Sequence, residues 1–277
     1  MPARIFFPPV LLVFLALPAP LPAWAQSQEE AICRNANNRL PPAEVIPACD
    51  RLVADARQRD SARARALAWR GIAHLRANDR AAALNDFNQA IALDEDNVDA
   101  LYSRAQLRAA AREHQNALAD LDRALKLNPD AVAPHMLRSN VYLELRRYPE
   151  AIADADFERG GGAAVLNQRC WTRAVAGIEL DKARIACDQG LWAQPDALPI
   201  LDSRGVVGLK QKHFQAAWND FNQVMRGAPR NARALYGRGL AAIGLGREAE
   251  GKADIAGAEA LNRNVAALYA DIGIPAP

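Results

Sequence analysis

The sequence is poor in lysine and has almost no net charge. Only five of its 34 basic residues are lysine, and the formal net charge is +2 over 277 residues. The chain therefore lacks the strongly basic field that attracts nucleic acid or anionic lipid. The other 29 basic residues are arginine, a side chain suited to fixed bidentate pairing with carboxylates.

Motifs of familiar catalytic sites are also missing. The sequence contains no HExxH, no GxSxG and no phosphate-binding glycine loop after a strand. No motif therefore indicates a zinc-dependent hydrolase, a serine hydrolase or a nucleotide-binding site. Four histidines occupy unrelated places along the chain: His74, His114, His135 and His213. We predict no catalytic residues, no metal site and no cofactor. An enzyme with an unusual site is the third function that we consider, after the two binding functions described at the end of this section.

The amino terminus is the one long apolar stretch. It reads MPARIFFPPVLLVFLALPAPLPAWAQSQ, with a single charge at Arg4 and a small-x-small signal at Ala23-Trp24-Ala25. This pattern predicts a signal peptide, residues 1–25, cleaved after Ala25, and a periplasmic or secreted mature chain that does not insert into the membrane. The alternative is a membrane anchor, which the five prolines between residues 8 and 22 disfavour because they shorten the unbroken helix.

A helical phrase recurs along the rest of the chain. It reads ALNDFNQAIALDE at residues 83–95, ALADLDRALKLNP at 117–129 and AWNDFNQVMRGAP at 217–229. Aligning the first residue of the phrase gives Ala83, Ala117, Ala151, Ala183, Ala217 and Gly251, at spacings of 34, 34, 32, 34 and 34. A fixed period near 34 is typical of stacked helical hairpins.

Small residues stand where the two helices of each hairpin would cross. The eighth residues of five units are small, namely Gly71, Ala105, Ser139, Gly205 and Gly239, whereas Trp171 breaks the pattern in the unit from Ala164. Larger apolar residues follow the recurring alanine, or Gly251 in its place, by four: Phe87, Leu121, Phe221 and Ile255. The pattern resembles the tetratricopeptide repeat family, in an exported bacterial form, since the excess of arginine over lysine is typical of GC-rich bacterial genes. The resemblance implies an all-α fold, a right-handed α-solenoid of stacked antiparallel helix hairpins.

Three glycines, Gly160 to Gly162, interrupt the array. We predict an N-terminal block, residues 26–162, with a degenerate first hairpin and three units. A C-terminal block, residues 163–277, would hold three units and a capping helix near residues 266–272. The glycines form either a hinge or a tight turn.

Five units carry arginine at the seventh place and aspartate at the twenty-third. The arginines are Arg70, Arg104, Arg138, Arg204 and Arg238, and the aspartates are Asp86, Asp120, Asp154, Asp220 and Asp254. We predict that each arginine pairs with the aspartate of its own hairpin, which would lock its two helices together. The alternative is a solvated stripe of charge.

Four cysteines allow three pairings. The hairpins implied by the resemblance favour disulfides between Cys33 and Cys49 and between Cys170 and Cys187, each joining two helices of one hairpin in an exported chain. The alternatives are a metal site or a reactive thiol, although neither pair has CxxC spacing or a nearby histidine.

The resemblance further implies that the second, fifth, ninth and twelfth residues of each unit point into a concave groove. These include Ile72, Leu75, Tyr102, Gln106, Met136, Asn140, Leu143, Thr172, Val206, Leu209, Tyr236, Leu240 and Ile243. We predict a non-catalytic protein–protein interaction scaffold of the cell envelope that binds an extended or helical segment of a partner there. The second alternative is a repeat-based binder of another ligand or of nucleic acid, which the near-neutral charge disfavours, and for each residue the alternative is packing against a neighbouring helix.

Overall fold

A computed structural model describes residues 23–157 and 161–277 of the chain. Most of the predicted signal peptide and the first of the three glycines, Gly160, therefore lie outside the described residues. Within those two ranges the regular structure is α-helical and contains no strand. The chain divides into two compact units, Met1–Glu95 and Asp96–Pro277, which are described separately.

The first unit consists of two helical hairpins. Their helices are α1 (Ala23–Arg34), α2 (Pro42–Ala54), α3 (Asp60–Arg76) and α4 (Arg80–Leu93). A disulfide between Cys33 and Cys49 joins α1 to α2, and α2 packs on α3.

The second unit continues the same alternation. Its helices are α5 (Val98–Ala110), α6 (His114–Leu127), α7 (Val132–Glu144), α8 (Tyr148–Ala155), α9 (Ala163–Ala176), α10 (Leu180–Ala193), α11 (Leu198–Lys210), α12 (Phe214–Gly227), α13 (Ala232–Gly244), α14 (Glu248–Leu261) and α15 (Val265–Asp271). We call the first helix of each hairpin its A helix and the second its B helix. Within the second unit, each A helix packs against its own B helix and against the A helix that follows it, or against α15 after α13. The last helix, α15, closes the stack, because its Tyr269 is buried against Tyr236 of α13.

The predicted boundary after residue 162 falls inside this second unit. Helices α7 and α8 before the glycines pack directly on α9 after them. The compact division of the chain lies instead between Glu95 and Asp96. A hinge at the glycines stays a prediction.

Each hairpin closes through a crossing of small residues. The recurring alanines Ala83, Ala117, Ala151, Ala183 and Ala217 are completely buried on the B helices. Opposite them, a Cβ atom added at Gly205 would lie 2.7 Å from the ring of Phe221. The helices thus approach so closely that the A helix has no room for a side chain at this point.

The fourth repeat corrects the predicted register at this crossing. We expected Trp171 in the small-residue place, but Trp171 is only half-buried. Thr172 is completely buried instead, with its Oγ1 3.3 Å from Oγ of Ser139, the eighth residue of the preceding unit. Thr172 lies 33 residues after Ser139. In this shortened unit the residue at the crossing is therefore Thr172, one position later than the alignment of the recurring alanines predicted.

The arginine–aspartate pairing is confirmed in all five hairpins. In each, Nε and Nη2 of the arginine donate to the two carboxylate oxygens of the aspartate 16 residues later, at 2.6–2.9 Å. In four of them, Nη1 also donates to a residue of the preceding hairpin; the acceptors are Asp50, Asp122, Asp188 and Asn222, at 2.7, 2.7, 2.7 and 3.0 Å. One guanidinium therefore fixes both the inside of a hairpin and its contact with the hairpin before it.

The predicted cysteine pairs are also bonded in the structure. Cys33 is joined to Cys49 and Cys170 to Cys187, with Cα–Cα distances of 4.9 and 5.4 Å, inside the usual range. Cys170 takes the arginine's place in the fourth repeat, so a disulfide ties α9 to α10 where no arginine–aspartate bridge exists. Among the described residues, no helix meets the length and hydropathy that a membrane crossing requires.

We predict that Gly205→Ala lowers the free energy of unfolding by about 1–3 kcal/mol, because the added methyl group collides with Phe221. Phe221→Leu should cost less in the Gly205→Ala background than in the native chain, since it removes the ring that is hit. Gly257→Ala is the matched control: its Cβ would meet only the end of Leu235, at 3.3 Å, and should be neutral or stabilising. Urea unfolding of the four variants measures this, and equal costs at residues 205 and 257 would contradict the crossing model.

A double-mutant cycle tests the bridge between Arg238 and Asp254. Alanine substitutions at both positions should show a coupling energy of about 1–3 kcal/mol, because the pair is bidentate and mostly buried. The control is Glu248 with Lys252, an ion pair of 3.0 Å with both side chains exposed, for which we expect about 0.5 kcal/mol or less. Similar coupling in both cycles would favour the solvated-stripe alternative.

Candidate binding surface

The A helices of the second unit present one common face. We call it the A-helix surface and define it by the fifth, ninth and twelfth residues of each repeat in α5, α7, α9, α11 and α13. These places lie on one side of a helix because they are spaced by four and three residues. The arginines and small residues of the crossing, at the seventh and eighth places, point elsewhere and hold the helices in position.

Six predicted residues of the second unit reach solvent on this surface. Gln106 and Asn140 are exposed, and Tyr102, Met136, Leu240 and Ile243 are half-buried. Nε2 of Gln106 donates to the hydroxyl of Tyr102 at 3.1 Å, which holds both side chains over α5. Partial burial raises the pKa of the Tyr102 phenol, so Tyr102 is a neutral hydroxyl at physiological pH. This part of the surface is apolar with a few amide and hydroxyl groups.

Five other predicted residues lie inside the stack. Their exposed fractions are 9% or less: Leu143, Thr172, Val206, Leu209 and Tyr236. The contacts that the structure gives them are packing contacts, which was the alternative considered for each. Tyr236 is covered by the ring of Tyr269, with the ring centroids 5.0 Å apart. The terminal helix that causes this burial could not be placed over Tyr236 from the repeat pattern.

Ile72 and Leu75 belong to the first unit and are half-buried on α3. A small cavity of about 20 Å³ lies beside Ile72, lined also by Trp69 and Arg76. That volume is close to that of one water molecule. Ile72 and Leu75 are therefore two apolar contact points, and the cavity beside Ile72 is too small for a side chain.

A buried polar cluster supports the exposed Asn140. Nε2 of Gln168 donates to Oδ1 of Asn140 at 2.7 Å and lies 3.2 Å from Oγ1 of Thr172 and 3.4 Å from Oγ of Ser139. The cluster joins α7 to α9. It also fixes the orientation of the Asn140 amide, because its carbonyl oxygen is held by Gln168. The Nδ2 donor of Asn140 is thereby presented at the surface.

The structure adds one charged group that the sequence analysis missed. Asp202, the fifth residue of its repeat, is 2% exposed and forms an ion pair with Arg233, whose guanidinium stacks on the ring of Trp171 at 4.7 Å. Oδ1 of Asp202 is buried without a hydrogen-bond partner. Burial lowers the pKa of the Arg233 guanidinium, which nevertheless stays protonated because arginine titrates far above neutrality. The signal was available, since both charges occupy inward-facing places of adjacent repeats.

Comparison with known proteins identifies the class and then the family. The stacked hairpins define an α-solenoid, a class whose repeats each contact only their neighbours. Residues 69–131 and 102–156 match the family model of the tetratricopeptide repeat. Residues 69–156 therefore contain tetratricopeptide repeats. A comparison with curated proteins finds no match.

Several solved structures share the fold. A tetratricopeptide repeat protein from Parabacteroides merdae is 16% identical, with a TM-score of 0.67, over 91% of this chain and 98% of that one. PilW, a widely conserved type IV pilus biogenesis factor, is 18% identical, with a TM-score of 0.64, over 71% and 92%. PilF of Pseudomonas aeruginosa is 15% identical, with a TM-score of 0.60, over 75% and 97%. At these identities the likeness concerns the fold.

The described residues contain no group of three histidine, cysteine or acidic side chains placed to hold a metal ion. Tetratricopeptide repeats are typical of protein–protein interaction scaffolds, and proteins of this fold are typically non-catalytic.

Proposed function

We propose that this protein is a non-catalytic scaffold of the cell envelope that binds a segment of a partner protein on its A-helix surface. The observation that carries the proposal is the composition of that surface in the second unit. Gln106 is exposed on α5, half-buried Met136 and exposed Asn140 share α7, and half-buried Leu240 and Ile243 lie on α13. Apolar side chains supply the contact area, and fixed amides supply a few directed hydrogen bonds.

The fixed polar groups determine what kind of segment fits. The Nδ2 group of Asn140 is a donor held in place by Gln168, and a main-chain carbonyl oxygen of a bound segment is a suitable acceptor. Among the fifth, ninth and twelfth residues of the second unit, the one charged side chain is Asp202, which is buried and paired with Arg233. A segment rich in apolar and neutral polar side chains therefore matches the surface better than a charged one.

The envelope location rests on the cysteines and on the amino terminus. Disulfides persist in oxidising compartments, and the two cysteine pairs of this chain are bonded. The sequence of residues 1–25 has the order of charge, apolar run and small residues of a signal peptide. PilW, a type IV pilus biogenesis factor, shows that the fold occurs in a protein that builds a cell-surface structure.

Photocrosslinking from single positions tests the binding surface. A photoreactive amino acid at Gln106 or Asn140 should capture the same envelope protein from intact cells, because both positions are exposed on neighbouring A helices. The matched control is Gln115, which is exposed on the B helix of the same hairpin as Gln106, and it should capture little.

With the captured partner purified, Asn140→Arg should weaken binding by about 10-fold or more, whereas Gln115→Arg should leave it unchanged. Capture from position 115 but not from 106 and 140 would overturn the proposed surface.

Mass spectrometry tests export. Protein produced with its native amino terminus should begin at Gln26 and should not react with iodoacetamide until it is reduced, after which all four cysteines should be alkylated. A chain that retains residues 1–25, or one that is alkylated without reduction, would contradict the export proposal. Neither result would alter the binding surface.

A further inference from the structure

The residues that follow α15 fold back toward the A helices. We call residues 272–277 the C-terminal segment. Nζ of Lys210, at the end of α11, donates to the carbonyl oxygen of Val175 on α9 at 3.3 Å. A Cβ atom built at Gly273 would lie 3.9 Å from the same Nζ. The C-terminal segment therefore reaches an ammonium group that is bonded to α9, whereas α15 itself packs on α13 and α14.

The backbone of Gly273 turns the chain away from the direction of α15. Its φ is +78°, in the left-handed region, where glycine avoids the strain that a Cβ atom causes. The N–H of Gly273 donates to the carbonyl oxygen of Ala270, and the N–H of Ile274 donates to that of Tyr269, both at 2.9 Å. A left-handed residue of this kind ends a helix and fixes the direction of the chain after it.

Two isoleucines attach the C-terminal segment to the stack. Ile272 and Ile274 are half-buried and pack against the apolar core that contains Leu209 and Tyr236, two residues that were predicted to line the groove. Lys210, next to Leu209, is also half-buried, and burial lowers the pKa of its ammonium group. The segment thus packs on the same core that buries these predicted groove residues.

The A-helix surface is open on α5 and α7 but closed on α9 and α11. At the fifth and ninth places, the residues of α5 and α7 are exposed or half-buried. Those of α9 and α11 are at most 8% exposed; they are Gln168, Thr172, Asp202 and Val206. The C-terminal segment lies at the end of this closed part. A partner segment that runs along the surface from α7 toward α13 would meet it there.

Few contacts hold the C-terminal segment in place. The backbone hydrogen bonds of Gly273 and Ile274 go to α15, and within the described residues no side-chain hydrogen bond or ion pair joins residues 272–277 to an A helix. Pro275 and Pro277 are exposed, as is the alanine between them. A segment attached mainly by two isoleucine side chains can detach while the hairpins before it stay folded.

The composition of the segment matches what the A-helix surface favours. Residues 272–277 read IGIPAP, which is apolar and has no charged side chain. Each proline restricts the residue before it to extended conformations, so Ile274 is held in an extended backbone. An apolar, uncharged segment is the kind of ligand that we propose above for the A-helix surface.

We propose that the C-terminal segment is an internal competitor for the α11 and α13 part of the A-helix surface, and that the partner segment which displaces it is likewise extended, apolar, uncharged and proline-containing. This inference rests on the proposed function, because competition requires a surface that binds a partner. Covalent attachment gives the competitor an effective concentration on the order of millimolar. A free segment of the same sequence must therefore bind the native chain more weakly than a chain whose own segment is released.

Titration with a peptide tests the competition. The probe is the peptide IGIPAP with both ends blocked, titrated into the isotope-labelled full chain and followed through the backbone amide resonances of Leu209 and Lys210. We expect a Kd of about 10 mM for the native chain and about 1 mM for a variant whose segment is released. The peptide IGDPAP should bind the released variant about 10-fold more weakly than IGIPAP, because a charged side chain replaces an apolar contact. Equal binding of the two peptides would contradict the proposed ligand chemistry.

Gly273→Ala should release the segment and tighten probe binding about 10-fold, because alanine is strained at the left-handed φ of this residue. The added Cβ would be in ordinary contact with Lys210, so the effect arises from the backbone. The matched control is Gly246→Ala in the turn after α13. Its φ is +79° and its added Cβ would have no atom within 4 Å, so it brings similar strain without touching the segment and should leave probe binding unchanged.

Ile274→Asp is a second release variant, since it removes one of the two apolar contacts of the segment. Its control is Leu268→Asp, at a residue that is 47% exposed on α15, which should leave probe binding unchanged. In both release variants, acetylation of Lys210 by acetic anhydride should be about 5-fold faster, measured by mass spectrometry relative to the exposed Lys252. Circular dichroism establishes that each variant is folded.

Equal probe binding by the native chain and both release variants would overturn the inference, as would the absence of any response at Leu209 and Lys210. Either result would leave crosslinking from Gln106 and Asn140 unaffected, because these residues lie on α5 and α7. Failure of crosslinking, with the release variants behaving as expected, would instead refute the partner surface and leave the internal contact established.

Discussion

The structure depends on the close crossing of the two helices in each hairpin. Small residues allow the approach, and a completely buried alanine on the B helix marks each contact. The bidentate bridge from arginine to aspartate then fixes how far one helix is shifted along the other. Partly buried ion pairs add little net stability, so the value of the bridge lies in its geometry. A disulfide between Cys170 and Cys187 takes over this role in the one repeat of the second unit that lacks the bridge.

This division of labour leaves other positions free for recognition. The seventh, eighth and twenty-third residues build the hairpin, so the fifth, ninth and twelfth can vary without disturbing it. Gln106 and Asn140 use that freedom to present amides on the A-helix surface. The eleventh position also varies. His74 and Arg108 each reach the aspartate of the bridge in their own repeat, whereas Gly208 has no side chain that could do so. Small changes at such places alter what the array can bind while the stack itself stays the same.

The sequence alone predicted the features that repeat. The hairpin period, the pairing of Arg204 with Asp220 and the bond between Cys170 and Cys187 all follow from spacings that recur along the chain. The features that it did not predict depend on single repeats. Thr172 replaces Trp171 at the crossing because one unit is short, and Tyr236 is buried because a terminal helix happens to cover it. Asp202 and Arg233 stand at inward-facing places of adjacent repeats, but their pairing does not recur along the chain as the arginine–aspartate bridge does, so the repeat spacing alone did not reveal it.

The hydrogen bonds from Nη1 of Arg70, Arg138, Arg204 and Arg238 to the preceding hairpin were also outside the prediction. The residues that accept them, such as Asp188 and Asn222, lie two places after the bridging position of their own repeat. That position holds either an aspartate or an asparagine, and an amide oxygen accepts the bond at 3.0 Å where a carboxylate accepts it at 2.7 Å. A search for a charged residue that recurs at this position therefore misses the hydrogen bond, although an oxygen atom accepts it in both cases.

The central claim is that a bridge such as that of Arg204 and Asp220 holds its own hairpin and the contact with the hairpin before it, and that its effect stays local. Hydrogen exchange of the native chain and of Asp220→Asn, read by mass spectrometry, tests this most directly. The account predicts faster exchange in α11 and α12 and in the adjoining α10 and α13, with α1 to α4 unchanged. Uniformly faster exchange over all helices, or none in α11 and α12, would contradict it.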